Sequence, residues 1–188
     1  MENLRMETME AIDKVVNYMY ELGIKVDIEN SFESRFKLQK ITYLMHKFLD
    51  TYTFQPYLHG PYSPALTRDY FKPENIEKFK EGKTDANLEE KEKAAIEKLK
   101  KIILKMSNQQ LEAMAMAYYL LDNNFADWSD ITEKLKEAKP GIKYEDVIIG
   151  INNLKLWLVT EKQWKDAIND LKEENDFWEK ASEISLNN

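Results

Sequence analysis

The sequence contains no cysteine, and this absence excludes disulfide bonds, thiolate metal sites and cysteine nucleophiles. Long apolar runs are missing as well, because no run approaches the ~20 residues that a membrane-spanning helix needs. The N-terminal segment carries charges too often for the apolar core of a secretory signal, and it reads MENLRMETMEAIDKVV. We therefore expect an intracellular, cytoplasmic protein with no membrane partner.

Histidine, glycine and proline are also scarce, with two, five and five residues in the chain. The two histidines, His46 and His59, lack the short helical spacing of metal ligands, so we predict no metal site. Neither a glycine-rich phosphate loop nor a dinucleotide-binding fingerprint occurs in the sequence. The sequence therefore predicts no metal ion, no nucleotide and no other cofactor.

The residues that the chain does contain are typical of a packed globule, with 43% hydrophobic and 12% aromatic residues. For 188 residues we expect a single helical domain, 1–188. The formal net charge of -7 disfavours broad attraction to nucleic acid. The segment 33–47 is nevertheless locally basic, which we attribute to pairing with acidic segments elsewhere in the fold.

The spacing of apolar residues predicts a mainly α fold, a single-core bundle of about eight helices. Aromatic, β-prone residues near 52–59 predict a minor β hairpin or an edge strand, because Pro56 lacks an amide N–H. Two capping boxes, at 107–110 and 160–163, predict the starts of a buried Ala- and Met-rich helix and of a final helix. The prediction of the fold class thus depends mainly on the helical periodicity of apolar residues.

Three regions are expected within this domain. Residues 1–72 carry the motifs discussed below, and residues 88–188 form the helical remainder. The polar segment 73–87 between them is a candidate flexible connection with one helical turn. Residues 24–32 alternate apolar and polar side chains, which fits a short strand or an ordered loop equally well.

Turn-forming residues are concentrated at 57–64. Gly60 tolerates the backbone angles into which a residue before Pro61 is forced. Ser63 can cap the free amides of a helix, and Pro64 suits the first helical position. These four residues are therefore predicted to have structural roles at a turn followed by a helix.

Large amphipathic side chains surround this turn. Tyr57, Tyr62 and Tyr70 lie close to His59 in sequence, and Arg68 lies on the helix that follows. Tyrosine and arginine are over-represented among residues that anchor protein interfaces. The alternative interpretation is that the tyrosines pack the turn onto the preceding helix.

A motif of the form R-x-x-L-Q-K occupies 35–40, and a Tyr-Leu pair follows at 43–44. After an aromatic run, the motif H-G-P-Y-S-P occupies 59–64. Together these motifs resemble the Panacea family over residues 32–70, closest to prokaryotic members that carry G-P-Y-S-P. Proteins of this family resemble, in general role, antitoxins of toxin–antitoxin pairs and phage-associated proteins.

The resemblance implies a non-enzymatic, antitoxin-like domain that binds a protein partner stoichiometrically. A toxin or a phage or host protein would be such a partner, and assembly into homo-oligomers is left open. Combined with the turn, the resemblance predicts a binding surface centred on three residues and supported by the preceding helix. The predicted surface residues are His59, Tyr62 and Arg68, and the supporting residues are Gln39 and Lys40.

Two other hypotheses come from the residues alone. Residues 129–158 resemble a helix-turn-helix, which would make the chain a DNA-binding transcriptional regulator. That segment offers only Lys143 and Lys155 as bases in its second helix, so a structural helix pair is favoured. A hydrolase would need the side chains of His59 and Ser63 in contact, but Pro64 makes the serine a cap instead.

Overall fold

A computed structural model describes residues 2–158 of the chain and the side chains of residues 10–158. The chain divides into two compact units, Met1–Leu154 and Lys155–Asn188. The described residues form eight α-helices and one two-stranded sheet. The helices are α1 (Glu2–Glu21), α2 (Phe32–Leu44), α3 (Pro64–Tyr70), α4 (Pro73–Glu81), α5 (Glu90–Ile103), α6 (Asn108–Asp122), α7 (Ile131–Ala138) and α8 (Tyr144–Leu158).

The sheet is an antiparallel hairpin of two short strands, β1 (Gln55–Tyr57) and β2 (Gly60–Tyr62). A 3-10 turn at His46–Phe48 ends the run of α2 and leads towards the hairpin. The predicted fold class, mainly α with a minor β hairpin, is confirmed. No helix within residues 2–158 is both long enough and apolar enough to cross a membrane.

Helix α6 is the central helix of the bundle. Its capping box is confirmed, because Ser107 Oγ accepts from the Gln110 amide and Gln110 Oε1 accepts from the Ser107 amide. Every residue that follows is buried from Leu111 to Leu120, and Glu112 is the one charged residue among them. Helices α2 and α7 and strand β2 all pack against α6. The capping box predicted at 160–163, and the final helix after it, lie outside the described residues.

A glycine sets the distance between α8 and α6. A Cβ atom added at Gly150 of α8 would lie 2.7 Å from Ala113 Cβ and 2.8 Å from the Met114 backbone nitrogen. Real Cβ atoms do not approach other atoms so closely, because protein interiors are already packed to the density of organic crystals. Gly150 therefore allows the two helix backbones to come into direct contact.

Helix α2 begins where the sequence provides a cap. Ser31 Oγ accepts a hydrogen bond of 3.1 Å from the Ser34 amide. The negative charge of Glu33 in the first turn interacts favourably with the positive end of the helix dipole. The helix therefore starts at Phe32. From Leu38 to Leu44 every side chain is buried, which places α2 beside α6 in the core.

Residues 24–31 form a loop that leads into α2, and not a strand, and Phe32 is already the first residue of the helix. Asp27 closes this loop, because its carboxylate accepts a hydrogen bond of 2.9 Å from the Asn30 amide. That bond lowers the pKa of the Asp27 carboxyl. Of the two interpretations of the alternating pattern, the ordered loop is the one that the structure contains.

The segment 73–87 contains the nine-residue helix α4 and then a loop that is anchored to α1. Asn17 of α1 accepts a hydrogen bond of 2.8 Å from the Thr84 amide and donates one of 2.8 Å to the Ala86 carbonyl. Gly82 ends α4 in the left-handed conformation, with φ of 85°. One buried asparagine thus satisfies backbone groups of a loop about 70 residues away in sequence.

Candidate functional site

The hairpin pairs Gln55 with Tyr62 and Tyr57 with Gly60, and Pro56 faces Pro61 between them. A proline pair has no N–H to exchange, so the hydrogen-bonded pairs of the ladder are the two outer pairs. The carbonyl groups of both prolines consequently point away from the partner strand. Each edge of this short hairpin presents a carbonyl group and no N–H group at its middle residue.

Gly60 begins the second strand with a φ of 84°, a conformation that side chains with a Cβ atom rarely adopt. A Cβ atom at this position would also lie 3.4 Å from Lys40 Cε and 3.5 Å from Glu112 Cγ. The hairpin therefore approaches α2 and α6 closely at this one residue. The role predicted for Gly60 from the sequence is consistent with this geometry.

Gln39 of α2 fixes the chain just after the hairpin. Its Oε1 accepts from the Ser63 amide at 2.9 Å, and its Nε2 donates to the Ser63 carbonyl at 3.1 Å and to Thr67 Oγ1 at 2.9 Å. The side chain is almost fully buried. Because both backbone groups of Ser63 are paired with one amide, Gln39 sets the position at which α3 starts.

Ser63 is fully buried, and its hydroxyl oxygen accepts from the Leu66 amide at the start of α3. Pro64 occupies the first helical position. The serine hydroxyl is therefore used as a helix cap and is not open to a substrate. Within the side chains described, no group of three or more His, Asp or Glu residues is placed to hold a metal ion.

Lys40 reaches the same hairpin from α2. Its Nζ donates a hydrogen bond of 2.8 Å to the Pro61 carbonyl, and it lies 5.1 Å from the centre of the Phe36 ring. Burial lowers the pKa of the Lys40 ammonium to about 7, against a partial increase from the charge of Glu112. Lys40 thus provides a hydrogen-bond donor for the Pro61 carbonyl, which points away from β1.

The tip of the hairpin is held from the other side by a lysine that follows α7. Lys139 Nζ donates to the carbonyls of Tyr57 at 2.6 Å and Leu58 at 2.7 Å, and it lies 3.3 Å from Glu112 Oε1. These contacts use all three donors of the ammonium. The other Glu112 oxygen lies 3.7 Å from His59 Nδ1. Glu112 therefore lies close to both Lys139 and His59 at the base of the hairpin.

A cleft of about 140 Å³ opens between the hairpin and the start of α2. Its walls are mainly aromatic, and the His59 ring makes edge contacts with Phe32 at 5.6 Å and Phe36 at 6.3 Å. Tyr57 and Tyr62 pack on each other with ring centres 5.3 Å apart. The polar side chains on the cleft are Arg35, Gln39 and Lys40.

Four of the five predicted site residues lie on this cleft, namely Gln39, Lys40, His59 and Tyr62. Arg68 is exposed on α3 and does not line it. Residues two positions apart in an α-helix are separated by about 200° of rotation. Arg68 therefore lies on the side of α3 opposite to Tyr70, which reaches the cleft. Arg35 of α2 provides the guanidinium group there instead.

Sequence reasoning did not identify Phe32, Phe36, Glu112 or Lys139 as parts of the site. Glu112 carried one signal, since it is the last charged residue before the uncharged stretch of α6. Lys139 carried none, because it lies 82 residues from Tyr57 in sequence. The proximity of these side chains is a property of the tertiary fold.

The segment 129–158 forms the helix pair α7 and α8 with a turn at Pro140. Lys136 of α7 donates to the carbonyls of Pro140 and Ile142 and closes this turn. The buried face of α8 is taken up by Val147, Ile151 and Leu154. Binding of DNA by this segment stays a prediction.

No family model, curated protein or solved structure matches the chain. The resemblance to the Panacea family therefore stays a prediction, and a role for the chain has to be inferred from the geometry of the cleft.

Proposed function

We propose that the chain is a non-enzymatic protein-interaction module, similar to Panacea-type antitoxins, that binds one protein partner stoichiometrically through the hairpin cleft. The observation that carries this proposal is a group of exposed apolar side chains on a hairpin that is itself firmly held. Phe32 and Tyr57 line the cleft and are 59% and 62% exposed, and Leu58, which follows Tyr57 at the hairpin tip, is 73% exposed. Contiguous exposed apolar residues are characteristic of interaction sites.

The backbone under these side chains is preorganised. Gln39 holds Ser63, Lys40 holds the Pro61 carbonyl, and Lys139 holds the carbonyls of the hairpin tip. A surface that is already ordered loses less conformational entropy when a partner binds. The clamped hairpin therefore favours recognition of a defined partner conformation.

The mode of recognition that fits this hairpin uses side chains. Strand addition requires a row of alternating donors and acceptors on a sheet edge. The outward-facing residue of β1 is Pro56, which offers a carbonyl and no N–H, and β1 is only three residues long. Aromatic rings and leucine at the hairpin tip instead provide contact area of the kind that dominates interface hot spots.

The experiment is a tagged pull-down from the native cell, with wild type beside Phe32→Ala, Tyr57→Ala and His59→Ala, and with identification of bound proteins by mass spectrometry. Phe125→Ala and Tyr144→Ala are matched controls, because these residues are 60% and 61% exposed and do not line the cleft. Circular dichroism checks that each variant is folded. We expect a stoichiometric protein that is retained by the controls and reduced at least about tenfold by the cleft variants, since a hot-spot residue contributes about 2 kcal/mol or more.

Loss of the same protein from the controls would place the binding surface elsewhere. Capture of no stoichiometric protein by wild type would contradict the proposal. In that case binding to duplex DNA at low ionic strength is the next measurement, with Lys143→Met as the variant, because phosphate contacts depend steeply on salt.

A further inference from the structure

Arg35 and Lys40, which line the cleft, form no salt bridge with a carboxylate among the described residues. Arg35 Nη1 donates to the Ile28 carbonyl at 2.7 Å, and Lys40 Nζ donates to the Pro61 carbonyl at 2.8 Å. Both acceptors are uncharged backbone groups. The cleft is lined by Arg35, Lys40 and His59 and by no acidic residue, although the chain as a whole carries a net charge of -7.

The nearest acidic side chain is already engaged. Glu112 interacts with Lys139 and His59, and it does not line the cleft. Lys40 lines the cleft, is 2% exposed and has only one hydrogen-bond acceptor within the described residues. A buried ammonium without a paired anion is costly, and an ammonium has three donors. An incoming anion would supply the missing acceptor.

We propose that the cleft binds the carboxylate of an acidic side chain of the protein partner, with an adjacent apolar residue of that partner against the aromatic walls. Arg35 and Lys40 donate to the carboxylate, and the rings of Phe32 and Tyr57 contact the apolar residue. This inference rests on the proposed function, because it names the chemistry by which the partner is recognised. A volume of about 140 Å³ accommodates one side chain of the partner.

The hydrogen-bond donors of the cleft favour a side-chain carboxylate over a chain terminus. Terminal carboxylates are captured by nests of free backbone amides. The backbone amides of Tyr57 and Gly60 face each other in the strand pair, and Pro56 and Pro61 have none. The available donors are side chains, and charge-assisted hydrogen bonds from arginine and lysine suit a carboxylate that projects from a continuing chain.

The test is a titration of the full ¹⁵N-labelled chain with three blocked dipeptides, followed by NMR at the amides of Phe36, Gly60 and Tyr62. Acetyl-Phe-Glu-amide has a side-chain carboxylate, acetyl-Phe-Gln-amide has none, and acetyl-Phe-Gln with a free C-terminus has a terminal carboxylate. We expect the first to bind at millimolar concentration and the uncharged peptide to bind about tenfold more weakly, which is the effect of one charge-assisted hydrogen bond.

Lys40→Met and Arg35→Met should each weaken binding of acetyl-Phe-Glu-amide about tenfold. Lys37→Met is the control, because Lys37 lies on the same helix, pairs with Glu33 and does not line the cleft. Equal binding of all three peptides, no binding of acetyl-Phe-Glu-amide at millimolar concentration, or binding of the terminal carboxylate alone would each overturn the proposal.

The pull-down separates this inference from the proposed function. If Lys40→Met and Arg35→Met retain the partner that Tyr57→Ala loses, the chain is a binding module that does not use an acidic anchor. If the acidic dipeptide binds as expected but no protein is captured, the anion site is present and the proposed function fails.

Discussion

At the scale of single residues, Lys40 is the most unusual side chain of the fold, because it is buried and its ammonium lacks a carboxylate partner. Burial lowers its pKa from 10.5 to about 7, Glu112 on α6 opposes this decrease, and Lys139 adds to it. His59 in the hairpin and Arg35 on the same helix are the other basic groups at this cleft. Between pH 7 and 10.5 the unfolded chain therefore binds more protons at Lys40 than the folded chain does.

The sign of the pH dependence follows from this difference in bound protons. Stability rises with pH wherever the unfolded state binds more protons. As pH rises above about 7, wild type should gain stability relative to Lys40→Met by up to about 1.4 kcal/mol per pH unit. Urea unfolding of both proteins over this range measures the gain. A difference that does not change with pH would mean that Lys40 is protonated in the folded protein.

Local motifs predicted part of the candidate site and missed the rest for physical reasons. Gln39 and Lys40 stood out as neighbours in a motif, and both contact the turn that follows them. Arg68 was chosen by its closeness in sequence, but helical rotation places it away from the cleft. Glu112 and Lys139 could not be found, because only the packing of α6 and α7 brings them to the hairpin.

At the scale of elements, the connection between α2 and the hairpin depends strongly on one amide. Gln39→Met keeps the volume of the side chain but leaves the buried N–H group of Ser63 unpaired, whereas the Ser63 carbonyl keeps its hydrogen bond of 3.1 Å from the Thr67 amide. One unpaired buried group costs about 1–3 kcal/mol, so we expect a loss of this size in the free energy of unfolding. Urea denaturation measures it. Gln55→Met on exposed β1 is the control and should stay within about 0.5 kcal/mol of wild type; an equal loss in both variants would contradict the role of Gln39.

The contact between α6 and α8 gives a second prediction at this scale. Gly150→Ala adds a methyl group 2.7 Å from Ala113 Cβ. Overpacking costs about 1–3 kcal/mol, and better helix propensity returns about 1 kcal/mol, so the expected net loss is at most about 2 kcal/mol. Gly141→Ala, which meets no atom within 4 Å, is the control in thermal unfolding. If Gly150→Ala were more stable than wild type, α6 and α8 would be able to move apart at this contact without a loss in the free energy of unfolding.

At the scale of the whole molecule, the sequence predicted the mainly helical class well, because the eight helices within residues 2–158 follow from apolar periodicity and from caps such as Ser63 and Ser107. It did not distinguish a strand from a loop at 24–32, where alternation is compatible with both. It also gave no indication that Asn17 would anchor the loop after α4. Contacts of this kind join residues far apart in sequence, and no local pattern encodes them.

The hydrogen bonds from Lys139 to the hairpin tip have a consequence for synthesis of the protein. They join residues 82 and 81 positions apart, so the hairpin leaves the ribosome long before the lysine that holds it. A nascent chain that ends before α7 carries the complete motif region but leaves the carbonyls of Tyr57 and Leu58 to water. The cleft reaches its final shape late in translation. A released fragment of residues 1–72 would contain the sequence motifs but would lack the hydrogen bonds from Lys139 that hold the hairpin tip.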